Sequence, residues 1–222
     1  MGAADLAMLV AFGLLTVAGV ACRLAANDRG DGPLLDVARL LEVLLGADLV
    51  RWALSLAVLE PARALGRTPF EGATRWAFHA TQALFLAWSF GVVVLAWRLL
   101  ARGPFARVFA GVWAAIAALL AAGYPELRGA ALGDLYRWIQ LAAIGLALLA
   151  VAAPRPRTFR AGRAHLCTCF LIAGLGAELA GPYLAKNVFT AWWVAQATWM
   201  PVLVAVALAA TWSRPWGLFR TS

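Results

Sequence analysis

The sequence predicts an all-α integral membrane protein, a single bundle of seven transmembrane helices. Apolar residues make up 64% of the 222 residues and charged residues 14%, with a mean hydropathy of +0.80. These values fall outside the usual range of soluble domains. Long apolar segments also follow one another along the whole chain. Because a backbone in hydrocarbon must satisfy its own hydrogen bonds, each crossing is expected to be a helix of about 20 residues.

Windows of that length place the seven spans in order along the chain. They lie at 5–25, 36–60, 75–98, 105–123, 136–153, 164–184 and 188–212. The connections between them are short and contain no low-complexity tract, so residues 1–222 are expected to form one domain. Pro201 falls inside the last span and removes one backbone donor there, which predicts a kink.

The arginines of the connections predict the orientation of the bundle. The first connection mixes two arginines with two aspartates, the second is also mixed, and the fourth is balanced. The third, the fifth and the C-terminal tail are basic and contain no acid; their arginines are Arg98, Arg102 and Arg107, then Arg155, Arg157, Arg160 and Arg163, then Arg214 and Arg220. By the positive-inside rule the odd-numbered connections and the C-terminus face the cytoplasm, and the N-terminus lies outside.

The net charge of +8 is interpreted as topology and as contact with the anionic headgroups of the lipid bilayer. The arginines are spread over the ends of the connections, which argues against nucleic-acid binding. No basic region precedes the first apolar segment, so it is not expected to be a cleaved signal peptide. We expect a protein of the bacterial inner (plasma) membrane.

A short internal similarity suggests a duplicated architecture. The tetrapeptide Gly46-Ala47-Asp48-Leu49 in the second span recurs as Gly176-Ala177-Glu178-Leu179 in the sixth. Both spans are predicted to run outward, so the two carboxyl groups would lie at similar depth, somewhat outward of the midplane. A parallel 3+1+3 pseudo-repeat would produce this pattern, and chance similarity in an alanine-rich chain is the alternative.

Ionisable groups inside a membrane are costly, so Asp48 and Glu178 are the candidate catalytic residues. Glu178 has no obvious local partner. It is therefore the better candidate for a carboxyl group that its apolar surroundings keep protonated. Asp48 lies three residues before Arg51, and a purely structural ion pair within the helix is a serious alternative for it.

Polar and aromatic side chains of the third, fifth and seventh spans are predicted to converge with Glu178 of the sixth on one pocket in the outer half. Arg75, His79, Gln82 and Ser89 share a face of the third span. The candidate substrate-binding residues are His79, Gln82, Gln140, Trp192, Trp193, Gln196 and Trp199. For His79 the alternative is an ordinary interior histidine, and for the tryptophans it is packing against lipid.

Several chemistries are excluded by position. His79 and His165 lie near opposite ends of their helices, which excludes a bis-histidine haem. The three cysteines map to the cytoplasmic side and are not spaced for a thiolate metal site or a disulfide relay. The only lysine, Lys186, is not deep enough for a retinal Schiff base, and nucleotide, zinc-protease and serine-hydrolase motifs are absent. We therefore expect no metal and no cofactor.

The polar inventory favours an apolar small molecule or lipid as the ligand. The chain has two Asn, three Gln and four Ser, too few to replace the hydration of a sugar. The first hypothesis is an enzyme on a lipid or isoprenoid, in which Asp48 or Glu178 donates a proton and aromatic faces stabilise the carbocation. In size and span count the chain resembles the small seven-helix terpene cyclases, which implies such an isomerising activity without assigning it to residues.

The second hypothesis places the same bundle in a different class, as a small transporter, a channel subunit or a ligand sensor. Gly46, Gly91, Gly176 and Pro201 would then be points of flexibility or close packing. A non-catalytic subunit of a larger membrane complex is the third alternative.

Overall fold

The structure is a computed structural model that describes residues 3–67, 72–101, 130–152, 162–184 and 188–212. Over those residues the chain is entirely helical, as expected, with seven α-helices, two π-helical segments and no strand. Six long helices overlap six of the predicted spans. The span predicted at 105–123 lies outside the described residues.

Helix α1 spans Ala3–Arg29, and α2 spans Gly32–Leu54. A π-helical segment, Ser55–Leu59, joins α2 to the short helix α3, Glu60–Ala64. Helix α4 spans Gly72–Ala96 and ends in a second π-helical segment, Trp97–Ala101. The remaining helices are α5, Ala130–Ala152; α6, Arg163–Leu184; and α7, Val188–Thr211, which is continuous through Pro201.

The tight turn between α1 and α2 follows from three residues within a stretch of four. Gly30 has φ of 61°, a left-handed conformation that ends α1 and that glycine adopts without strain. The Asp31 side chain then accepts a hydrogen bond from the backbone N–H of Leu34 at 3.0 Å, which caps α2. Pro33 occupies the first turn of α2, where its missing N–H costs nothing. The chain reverses within two residues, so α1 and α2 are antiparallel.

The six long helices form a closed ring in which each packs against the next. The order around the ring is α1, α2, α4, α5, α6 and α7, and α7 returns to pack against α1. Helix α6 also contacts α2 and α4, so it reaches into the centre of the ring. Buried residues from all six helices join in one apolar core.

At one end of this bundle, arginine side chains make polar contacts between the ends of neighbouring helices. We call it the arginine-rich end. Arg29 donates to the carbonyl of Ala210 at 3.2 Å, and Arg98 pairs with Asp36 at 3.0 Å. Arg163 donates to the carbonyl of Trp212 at 2.8 Å. Helices α1, α4 and α7 therefore end here, whereas α2 and α6 begin here.

His165 and Trp97 extend this end across three helices. The His165 Nδ1 accepts the Gly162 N–H at 3.0 Å, so its Nε2 carries the proton and donates to the carbonyl of Leu99, also at 3.0 Å. The Trp97 indole donates to the carbonyl of Leu146 at 3.1 Å. Since Trp97 and Leu146 both lie near the C-terminal ends of their helices, α4 and α5 are parallel neighbours.

Small and large apolar side chains share the helix contacts, and large apolar side chains also lie on the outer surface. Buried small residues include Ala18, Cys22 and Ala26 on α1, Ala143, Ala147 and Ala150 on α5, and Ala209 and Ala210 on α7, and buried large residues include Leu34, Leu41 and Leu44 on α2 and Leu171 and Leu175 on α6. The exposed large residues include Val17, Val20 and Leu24 on α1, Leu141, Leu148 and Leu149 on α5, and Val204 and Leu208 on α7. Over the described residues, one helical stretch, Met8–Arg29, is long and apolar enough to cross a membrane. Core helices and signal sequences of similar length and composition meet the same criterion.

Replacing Trp97 with Phe should loosen the contact between α4 and α5, because the hydrogen bond to the Leu146 carbonyl is lost. We expect a loss of about 1 kcal/mol in the free energy of unfolding, which corresponds to a fall of about 2–4 °C in Tm. Trp76→Phe is the matched control on the same helix, since Trp76 is 62% exposed. Thermal unfolding in detergent measures both variants, and equal Tm values would contradict the expectation.

Candidate functional site

The carboxylate of Asp48 lies in the interior of the bundle, on α2, and only 8% of the residue is exposed. The Trp88 indole Nε1–H, from α4, donates to Asp48 Oδ2 at 3.1 Å. Arg51 lies one turn further along α2, with Nη2 3.3 Å from Asp48 Oδ1. That contact is an ion pair without hydrogen-bond geometry, since Oδ1 has no hydrogen-bond partner. The intrahelical ion pair that was the structural alternative for Asp48 is present, and the same carboxylate also reaches a second helix; its catalytic role stays a prediction.

Trp88 links this carboxylate to α7 through an aromatic contact. Its ring lies against the ring of Trp199, with centroids 4.4 Å apart and planes inclined at 46°. Both tryptophans are buried. Asp48 and the two indole rings thus join α2, α4 and α7 in one cluster, which we call the central cluster together with Arg51 and Gly174.

Gly174, on α6, allows Trp199 to occupy this place. A Cβ atom at Gly174 would lie 2.7 Å from Cζ3, 3.0 Å from Cη2 and 3.1 Å from Cε3 of the Trp199 ring. The indole is rigid and cannot fold away from such a contact as the end of a flexible side chain would. The absence of a side chain at Gly174 is therefore a steric condition for the tryptophan pair.

The central cluster lies near the middle of the bundle. Asp48, Trp88, Gly174 and Trp199 are 11 to 16 positions from the helix termini at the arginine-rich end, counted from the bounds of α2, α6 and α7 and from Ala101 after α4. At a rise of about 1.5 Å per residue this is roughly 16–24 Å. Four helices contribute to one layer of the bundle.

The contacts of Asp48 determine what this layer can do chemically. A cationic guanidinium and an indole N–H both stabilise the ionised carboxylate more than the neutral acid. Asp48 is thus arranged to accept a proton or to lie opposite positive charge. The two indole rings beside it offer faces that attract cations and pack against apolar groups.

The structure brings two of the sequence-predicted site residues together and separates a third. Asp48 and Trp199 both contact Trp88. Gln140 is buried on α5 at a similar level of the bundle. His79 is also buried, and its Nδ1 has no hydrogen-bond partner. It precedes Trp88 by nine residues, about 13 Å along α4 and on the opposite side of that helix. The side chains of Gln82, Glu178, Trp192, Trp193 and Gln196 lie outside the described part of the structure.

Sequence reasoning missed the connecting role of Trp88 and did not single out Gly174. Trp88 carries a detectable signal, because it lies deep in its span and away from the interfacial positions that tryptophan favours. Gly174 carries none, since its function depends on a ring from another helix. Among the described side chains, no group of three or more His, Cys, Asp or Glu residues could hold a metal ion.

Gly174→Ala should displace the Trp199 ring, because the added methyl group would overlap it. We expect a loss of about 1–3 kcal/mol in the free energy of unfolding, as for other overpacked cores. Gly176→Ala is the matched control on the same helix, with no described atom within 4 Å of the added Cβ, and should be neutral or stabilising. Thermal unfolding and the near-ultraviolet circular dichroism of the tryptophan pair measure the difference, and equal behaviour of the two variants would contradict it.

Comparison with known proteins gives no counterpart for this arrangement. No protein-family model matches the chain, and no curated protein or solved structure matches it. The geometry of the central cluster is therefore the main support for a function.

Proposed function

We propose that the chain is an integral membrane protein, a seven-span bundle with its arginine-rich end in the cytoplasm of a bacterial cell. The distribution of apolar residues supports this proposal. On α1 and α5, alanine and cysteine lie at many of the helix contacts while leucine and valine side chains face outward, an arrangement typical of helices that pack within lipid.

The helix directions support the same topology. Seven alternating spans require α4 and α5, as the third and fifth, to be parallel, and their contact through Trp97 and Leu146 has that sense. The termini that meet at the arginine-rich end also adjoin the basic connections that the positive-inside rule assigns to the cytoplasm.

Within this bundle we propose a site for an apolar ligand, and as its activity the isomerisation or cyclisation of a lipid or isoprenoid. The observation that carries the proposal is the Asp48 carboxylate, held by Arg51 and Trp88 beside the Trp88–Trp199 pair in the middle of the bundle. Such a site excludes water and offers a base next to aromatic faces. Carbocation chemistry requires both.

The carboxyl groups then divide the work. Glu178 donates its proton to an alkene or epoxide of the ligand, and the resulting carbocation lies against the indole faces. Asp48 accepts the proton that the cation finally loses, because its contacts favour the ionised form. The ligand changes its bonding and keeps its atoms. Gln140, His79, Gln82, Trp192, Trp193 and Gln196 remain candidate walls of the site.

A small carrier is the second candidate, and the helix packing favours it. Helices α1, α2 and α4 pack in the same pattern as α5, α6 and α7: first on second, second on third, and the first of each group on the third of the other. A parallel 3+1+3 pseudo-repeat would produce this pattern, and Asp48 and Glu178 would then lie on its corresponding second helices. Carriers with internal repeats bind their substrates near the midplane between the repeats.

Glu178→Gln and Asp48→Asn should each lower turnover at least 100-fold, since one removes the proton donor and the other the base. The measurement is the conversion of isoprenoids in a total membrane lipid extract, followed by liquid chromatography and mass spectrometry. Asp36→Asn is the control, because Asp36 pairs with Arg39 and Arg98 at the arginine-rich end. If the isoprenoids are not converted but are taken up into proteoliposomes that contain the protein, the carrier would replace the enzyme as the proposed function.

A reporter fused after Ser222 should be active in the cytoplasm. Green fluorescent protein at that position is expected to fluoresce, and alkaline phosphatase is expected to be inactive, because the C-terminus follows the arginine-rich end. Fusions at the N-terminus should show the reverse. Active phosphatase at the C-terminus would mean that the C-terminus lies outside the cytoplasm and that the proposed topology is wrong.

A further inference from the structure

Ser89 follows Trp88 on α4, and only 1% of the residue is exposed. Its Oγ has no hydrogen-bond partner. A buried hydroxyl group without a partner costs about 1–3 kcal/mol. The fold therefore carries an unsatisfied polar group one residue away from the central cluster.

Other helical hydroxyl groups of the same chain are satisfied by their own backbone. Those of Thr16, Thr168 and Thr211 donate to the carbonyl four residues earlier, at 2.8, 2.7 and 2.9 Å, and Thr81 to the carbonyl three residues earlier, at 2.7 Å. This back-bonding is the ordinary solution for a hydroxyl in a helix. Ser89 has the same carbonyls available and leaves its Oγ without one. Its hydroxyl group thus keeps its hydrogen-bonding capacity unused within the fold.

The position of Ser89 on α4 directs it into the bundle. Trp88, Leu86, Val92 and Val93 are buried, and at about 100° per residue Ser89 lies near the middle of the arc that they form. That arc faces the interior of the ring, at the level of the Trp88–Trp199 contact. Ser89 and His79 are separated along α4, because the unpartnered Nδ1 of His79 lies nearer the other end of that helix.

We propose that Ser89 is a ligand-binding residue that hydrogen-bonds an oxygen atom of the ligand. The ligand class is then an isoprenoid or related lipid bearing a hydroxyl, carbonyl or epoxide oxygen, with its hydrocarbon against Trp88 and Trp199. This inference rests on the proposed function, namely that the central cluster binds an apolar ligand. Ser89 selects among such ligands by the one polar atom they carry.

The first test needs no ligand. Ser89→Ala removes an unsatisfied hydroxyl group, so the Tm of the ligand-free protein in detergent should stay unchanged or rise. Thr168→Ala is the matched control, because the Thr168 hydroxyl is equally buried and already bonds the Ala164 carbonyl. Its Tm should fall. An equal fall in both variants would mean that Ser89 has a partner within the fold, and would overturn the inference.

The second test compares farnesol with its matched hydrocarbon, which lacks the hydroxyl group, by equilibrium binding to the protein in lipid nanodiscs. The wild type should bind farnesol more tightly, and Ser89→Ala should weaken farnesol binding by about two- to tenfold without changing binding of the hydrocarbon. Thr168→Ala should preserve the preference. If both probes bind the wild type equally, the role of Ser89 is overturned while the apolar site stands. If neither probe binds, the isoprenoid site fails, and the role of Ser89 fails with it.

Discussion

Compensation of the Asp48 charge is the constraint on which the centre of this protein depends. Moving a carboxylate out of water costs several kcal/mol unless close partners replace its hydration. Arg51 supplies the charge from the same helix, and Trp88 supplies a hydrogen bond from another. Trp88 is in turn held by Trp199, which fits only because Gly174 has no side chain. One buried charge thereby fixes the relative positions of four helices.

The surrounding bundle mixes small and large apolar side chains at its helix contacts. Alanine at these contacts lets the backbones approach closely, and dispersion contacts accumulate over their length. Leucine and valine side chains lie both in the core, as at Leu34 and Leu171, and on the outer surface, as at Val17 and Leu24. Among the described side chains, polar contacts are concentrated at the arginine-rich end, where carbonyl groups of the last helical turns accept from arginine, and those in the centre include the ones that surround Asp48.

Asp48 and Ser89 give the central layer two different kinds of polar group. Asp48 is paired with Arg51 and accepts the Trp88 N–H through Oδ2, and these contacts favour its ionised form. The Ser89 hydroxyl group has no hydrogen-bond partner, which favours a role in binding a ligand that enters the bundle. An enzyme and a carrier would both use a layer of this kind, and they differ in whether the ligand leaves with altered bonds. The proposed roles of Glu178 and Asp48 apply to the enzyme hypothesis. The similar packing of the two groups of three helices supports the carrier hypothesis.

The sequence by itself determined the helical class and the positions of six long helices, and it offered the pairing of Asp48 with Arg51 as one of two alternatives, because these depend on local hydropathy and helical periodicity. It also found the clustering of basic helix ends, which is a property of the connections. Only the tertiary structure decided that Trp88 and Trp199 meet, that Gly174 admits them and that His79 lies away from the cluster. Contacts between helices depend on the rotation and register of each helix, which an apolar pattern on all faces leaves undetermined. Likewise, only the tertiary structure distinguished Ser89 from the threonines, since the same local backbone bonds were open to all of them.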